Sequence, residues 1–292
     1  MGISRITKDT ARLVVEASSR WSQEQRACFS RACANEKLES AKWAMNQLVK
    51  NEQVSSQNAV ALCDDTGTAH PFLEIGDNAI LPAGFLKAME EGIRQGLNEL
   101  PARPMGVKGD VYERITQEKG LYDEPGMLMP APTQIRRVPG DSVELTILML
   151  GGGPEIRSRT EALFHMHSLE HVVQTMIEWA IPQVALLGCQ PCTLSFGIGR
   201  TAVEASSLSL EAMKEGRYDV QTDMEKRITD AVNQAGIGPI GLGGNTSVYA
   251  TFVKIGHMRA SGFRVVSMRP NCCVEIRKAS KKWSSSDLSL MK

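Results

Sequence analysis

The chain lacks an excess of either charge: 33 Lys and Arg stand against 33 Asp and Glu in 292 residues. With no basic balance it has no general electrostatic hold on nucleic acid or an anionic membrane. Aromatic residues are only 5% of the sequence, a poor supply for base-stacking platforms. No uninterrupted apolar run approaches a membrane span, and Met1–Thr10 lacks the apolar stretch of a secretory leader. Cysteines number seven. An odd count without a leader argues against a disulfide scaffold and for reduced thiols in a cytoplasmic protein. What is present is an ordinary globular composition, 42% hydrophobic and 23% charged. The length suits one large domain or two modest ones.

Hydrophobic periodicity predicts helices across residues 5–50, where Leu13, Val14, Ala17 and Trp21 recur at helical spacing, as do Ala41, Ala44, Met45 and Leu48. Residues 51–60 are polar and read as a loop. A short strand is expected at Phe72–Ile75, a helix at Phe85–Leu97, and irregular chain over 101–140. Ser142–Leu150 alternates as a half-buried strand and is broken by Gly151-Gly152-Gly153. A helix capped by Ser168 is expected to Ile181, then a buried strand at Val184–Leu187. Helices at Thr201–Lys214 and Met224–Ala235 follow, then strands at Ser247–Ile255 and Arg264–Ser267. From Lys278 the chain reads as a frayed tail.

The chemistry concentrates at three cysteine centres. The first is Cys63-Asp64-Asp65-Thr66-Gly67, a thiol beside two carboxylates and a turn glycine just before a strand. The others are Cys189/Cys192 and Cys272/Cys273. Three separated soft ligands near acid–base groups point to a metal cluster with one metal corner left for substrate. Backbone donors in such turns can bond cluster sulfurs and tune them. Cys28 and Cys33 lie inside helical pattern and read as buried thiols. Two other readings stay open: a Cys189-Gln190-Pro191-Cys192 redox pair, and a zinc site of Cys189, Cys192, Cys272 and Cys273. His165, His167 and His171 offer a further candidate metal site. Gly197-Ile198-Gly199 and Gly236-Ile237-Gly238 match a dinucleotide fingerprint only loosely, and read better as close backbone approach or as amides presented to an anion.

Taken together, the motifs resemble the α subunit, or N-terminal part, of iron–sulfur class I fumarases and L-tartrate dehydratases. The resemblance runs from about Ala61 to Arg277. It is carried by Cys63-Asp64-Asp65-Thr66-Gly67, Gly151-Gly152-Gly153-Pro154-Glu155, Cys189 leading to Gly197-Ile198-Gly199, and Gly236–Pro239 with Gly241–Ser247. Cys273, four before Arg277, completes the order.

The resemblance implies an α/β fold with a mixed sheet, a helical N-terminal layer and cysteine loops converging on a cluster. Residues 1–60 would be the helical segment, 61–280 the catalytic domain and 281–292 a flexible tail. It implies a [4Fe-4S] cluster on Cys63, Cys189 and Cys273, with the open iron a Lewis acid toward a 2-hydroxy acid. Asp65 is expected in proton transfer or in orienting the iron-bound group, His257 in contact with substrate, and Arg277 pairing a carboxylate or orienting Cys273. Asp64, Thr66, Gly152, Gly153 and Lys108 would bind substrate. A β subunit, in an α2β2 assembly, would complete the site.

The chain also departs from the family pattern. Asp64 stands where the family has glutamine, an added negative charge that repels an anionic substrate or demands a counter-charge. Lys108 stands in for an arginine, without its bidentate grip. Cys192 and Cys272 have no counterpart, and the spacing to Arg277 favours Cys273 over Cys272. A cluster-bearing sensor without catalysis, or a zinc or thiol-redox protein, is the competing function.

Overall fold

A computed structural model describes residues 2–290. In chain order the helices and strands are α1 (Ser4–Ser19), α2 (Gln23–Asn35), α3 (Glu39–Asn58), β1 (Thr68–Gly76), α4 (Phe85–Glu99) and α5 (Glu113–Thr116). Then come β2 (Gln134–Val138), β3 (Val143–Leu150), α6 (Gly152–Glu155), β4 (Arg159–Phe164), α7 (Leu169–Ala185) and β5 (Cys192–Gly199). The chain finishes with α8 (Ala202–Glu215), α9 (Asp223–Asn233), β6 (Val248–Ile255), β7 (Phe263–Asn271), β8 (Arg277–Trp283) and α10 (Ser285–Ser289). The class is α/β, with two four-stranded mixed sheets. The chain packs as two units: Met1–Arg20, Glu52–Gly151 and Arg277–Lys292 form one, Trp21–Asn51 and Gly152–Ile276 the other. The expected divisions at 60/61 and 280/281 follow chain order; the units of packing do not.

The first unit holds the sheet β2-β1-β3-β8, with β1 and β2 parallel and β3 antiparallel to both β1 and β8. Helices α1 and α4 bury Leu13, Val14, Met89 and Ile93 with the sheet's Leu73, Leu145 and Ile147. The two helices meet closely at glycine. A Cβ on Gly92 would fall 2.5 Å from the Thr7 carbonyl oxygen, and one on Gly96 2.7 Å from that of Ala11.

The second unit holds β4-β7-β5-β6, with β5 and β6 parallel and β7 antiparallel to β4 and β5. Alternate β5 residues Cys192, Leu194, Phe196 and Ile198 join a core with Val173 and Met176 of α7 and Ile228 and Val232 of α9. The other β5 face meets α8. A Cβ at Gly197 would lie 2.0 Å from the Ala205 carbonyl oxygen, so this glycine pattern seats a helix and is no dinucleotide loop.

Four local expectations change. Residues 51–58 continue α3: they are polar but carry no Gly or Pro, and Glu52 and Ser55 are buried. Val184 and Ala185 finish α7, and the strand starts at Cys192, beyond the cysteine turn. β2 and β4 run through stretches without clean apolar alternation. The tail is ordered: β8 pairs with β3 from Arg277 to Trp283. Trp283 is fully buried, donates to the Asp9 carboxylate at 2.9 Å and meets the Phe85 ring edge-on. Met291 and Lys292 lie outside the described residues.

Candidate active site

In the first unit, the Cys63–Gly67 loop leads into the start of β1, where Thr68 faces Leu150 at the end of β3. Arg277, buried at the start of β8, donates from Nη1 to the Asp65 carbonyl at 3.0 Å. Gly67 has φ +82, and a Cβ there would meet the Leu150 carbonyl at 2.5 Å and Arg277 Nη2 at 2.9 Å. Only glycine fits both the left-handed backbone and that space. Arg277 therefore holds the main chain of this loop, a role the sequence did not reveal.

Asp64 meets its counter-charge in Arg103, with Nη1 2.8 Å from the Asp64 carboxylate. The Arg103 N–H also donates to the hydroxyl of buried Thr66 at 3.3 Å. Arg103 sits in a Pro-rich stretch without periodicity, so no sequence signal linked it to the loop. Lys108 lies 3.9 Å from Asp123 and over the Tyr122 ring.

In the second unit, Cys189 and Cys273 are tied together by a hydrogen bond from the Cys273 N–H to the Cys189 carbonyl at 2.9 Å. Cys189 is exposed and Cys273 buried, and neither is in a disulfide. The turn after Cys273 is held by side chains. Trp21 Nε1 donates to the Val274 carbonyl at 3.2 Å, and Gln25 Nε2 and the Tyr249 hydroxyl donate to the Glu275 carbonyl at 3.1 Å each. The Ile276 N–H donates to the Tyr218 hydroxyl at 3.4 Å. The Glu275 carboxylate accepts from Arg269 at 2.6 Å, and both side chains are buried. Arg269 also reaches Glu155 of α6 at 3.3 Å. The Gly152-Gly153 segment and both cysteine turns thus share one end of the second sheet, with Gly152 and Gly153 exposed.

The glycine-rich segment 236–245 backs the same end. Ile240 donates its N–H to the Gln190 carbonyl at 3.1 Å. One of its amides faces an anion supplied by the chain: Glu36 accepts the Asn245 N–H, along with those of its own neighbours Lys37 and Leu38. Burial alone would raise the Glu36 pKa, but these donors and the Thr246 hydroxyl outweigh it and lower it.

His257 does not join this group. It follows the C-terminal end of β6, whereas Cys189 and Cys273 flank the opposite end of β5 and β7. An eight-residue strand, β5, separates those ends by roughly 23 Å at about 3.3 Å per step. His257 instead lies near Glu204, where its charge helps to lower a carboxyl held mainly by Arg200 at about 2.

Among the described residues, no three His, Cys, Asp or Glu side chains are grouped to hold a single metal ion. His165 is spoken for: Nδ1 accepts the His167 N–H at 3.0 Å and Nε2 lies 2.8 Å from the Ser261 carbonyl. Cys192 is a core thiol; burial pushes its pKa up, and nearby Cys273 adds to this. None of Cys63, Cys189 and Cys273 is in a disulfide, each lies in a bend or turn near the end of a strand, and thiols are the donor type that iron–sulfur clusters take.

The sequence profile of the fumarate hydratase (Fumerase) family matches residues 7–282. The chain belongs to this family. It is 25% identical over 279 residues to a putative L(+)-tartrate dehydratase subunit alpha of Methanocaldococcus jannaschii, covering 93% of this chain and 94% of that one. To the L(+)-tartrate dehydratase subunit alpha of Escherichia coli strain UTI89 it is 26% identical over 197 residues, 66% of this chain and 63% of that one. No described helix is long and apolar enough to cross a membrane.

Proposed function

We propose that this chain is the α-type subunit of a cytoplasmic iron–sulfur hydro-lyase that reversibly dehydrates a 2-hydroxy mono- or dicarboxylic acid. The observation that carries this reading is the family match along nearly the whole chain, together with cysteines outside any disulfide at Cys63, Cys189 and Cys273. Those three residues would hold a [4Fe-4S] cluster. When bound, it supplies an open iron that acts as a Lewis acid on the departing hydroxyl.

Dehydration takes a proton from one carbon and hydroxide from its neighbour, leaving a double bond and water. Asp65 is the base in this reading: half-buried, and fixed in its main chain by Arg277. Arg277 acts as a positioning residue. Exposed Gly152 and Gly153 would contact a substrate carboxylate, and the Thr66 hydroxyl accepts the Arg103 N–H. A β subunit, in an α2β2 assembly, would complete the site. Lys108 and His257 have no part in this account.

The test is to purify the chain anaerobically, alone and with its partner subunit, and to screen hydroxy acids for water loss. Activity is expected with the partner. Asp65→Asn should lower it about 10²–10⁴-fold while keeping iron and sulfide. Full activity of the single chain would refute the partner requirement. Unchanged activity in Asp65→Asn would refute the assignment of the base.

A further inference from the structure

Asp64 directly follows a proposed cluster ligand, yet its carboxylate is 82% exposed and its ion-pair partner Arg103 57% exposed. The pair is nonetheless placed. The Arg103 backbone is pinned to the hydroxyl of Thr66, a residue 1% exposed in the same loop, and Arg277 fixes the next main-chain carbonyl, that of Asp65. A surface ion pair of this kind contributes little to stability. Its consequence is for whatever approaches the loop.

We propose that the Asp64–Arg103 pair recognises a hydroxyl group on the substrate and disfavours a carboxylate at that place, so that the preferred substrates are polyhydroxy monocarboxylic acids. This rests on the hydro-lyase reading above. The argument is one of donors and acceptors. A carboxylate only accepts hydrogen bonds; it can take an N–H from Arg103 but has no proton to give Asp64, and it faces that second negative charge. A hydroxyl donates once and accepts twice. It can give its proton to Asp64 and take an N–H from Arg103, whose five donors leave the ion pair intact. The two residues together match a neutral group that is both donor and acceptor.

A matched pair of probes tests this. Tartrate and the threonate of corresponding configuration share a four-carbon skeleton and differ at one end, a carboxylate against CH2OH. The cluster-loaded full chain with its partner subunit is titrated with each acid by calorimetry, as wild type and as Asp64→Asn, a change at an exposed site that keeps the side-chain shape. The wild type should bind threonate about tenfold more tightly than tartrate, the size of one hydrogen bond to a charged group. Asp64→Asn should remove or reverse that ratio, chiefly by tighter tartrate binding. Equal or tighter tartrate binding by the wild type, an unchanged ratio in Asp64→Asn, or binding of neither acid would overturn the proposal. The underlying reading fails separately, through a protein without iron and sulfide that removes water from no hydroxy acid.

Discussion

The Cys63 loop and the Cys273 turn are fixed by different kinds of contact. The loop is held by charged groups reaching its backbone and flanking side chains: Arg277 on the Asp65 carbonyl, and Arg103 on Asp64 and Thr66. The turn is held largely by buried neutral groups, Trp21, Gln25, Tyr218 and Tyr249, on three consecutive residues, with the Arg269–Glu275 pair beneath them. Buried hydrogen bonds from several elements over-determine a backbone. An exposed ion pair screens with salt and yields to a competitor. The turn of Cys273 is therefore the more firmly fixed of the two, and the Cys63 loop keeps the Asp64–Arg103 pair exposed.

The largest effect expected from breaking either side is loss of the cluster. Cys63→Ser, Cys189→Ser and Cys273→Ser should each abolish bound iron and sulfide, while Cys28→Ser and Cys33→Ser keep them. Iron analysis of the five variants checks this, and equal tolerance at all five would refute the ligand assignment.

Next is the scaffold itself. Glu275→Ala leaves Arg269 buried beside a missing partner and should cost about 3–5 kcal/mol in urea unfolding. Asp64→Ala, breaking the exposed pair, should cost under about 1 kcal/mol. Similar losses for the two would erase the distinction between scaffold and recognition loop.

Two glycines sharpen the comparison. Gly67 has φ +82 and no room for a Cβ; Gly188, just before Cys189, has φ +75 and open space around it. Alanine at 188 should cost about 1–2 kcal/mol for the left-handed backbone alone. Alanine at 67 should cost more, because the Leu150 backbone or Arg277 must move as well. Thermal unfolding of both variants measures the difference.

A further modest effect concerns pH. The Glu36 carboxyl titrates below the ordinary glutamate value when folded, so the unfolded state binds its proton first. Its contribution is present above the unfolded pKa and is lost as pH falls through the folded one. Glu36→Gln should flatten the acid limb of stability by roughly 1 kcal/mol, read from unfolding midpoints between neutral and acid pH. An unchanged limb would show that Glu36 does not anchor the 244–245 loop.

The cysteine turns were legible in the sequence because soft ligands beside Gly, Pro and carboxylates are an uncommon combination at such spacing. Long periodic helices and the alternating β3 were legible for the usual geometric reason. What stayed hidden depends on contacts far apart in the chain. Trp21 and Gln25 look like helix-entry residues until they meet the backbone at 274 and 275. Arg103 sits among prolines, and β8 reads as a lysine-rich tail because its buried residues, Arg277, Ala279 and Trp283, are diluted by charges. His257 was drawn toward the cysteines by its place in the motif order, and strand direction carries it to the other end.

A cluster on Cys63, Cys189 and Cys273 with one open iron would be labile. The direct test is iron and acid-labile sulfide analysis of the anaerobically purified chain, with an EPR spectrum after mild oxidation. About four irons per chain, with a three-iron signal appearing on oxidation, is the predicted result. Zinc in place of iron, or thiols that bind no metal, would contradict it.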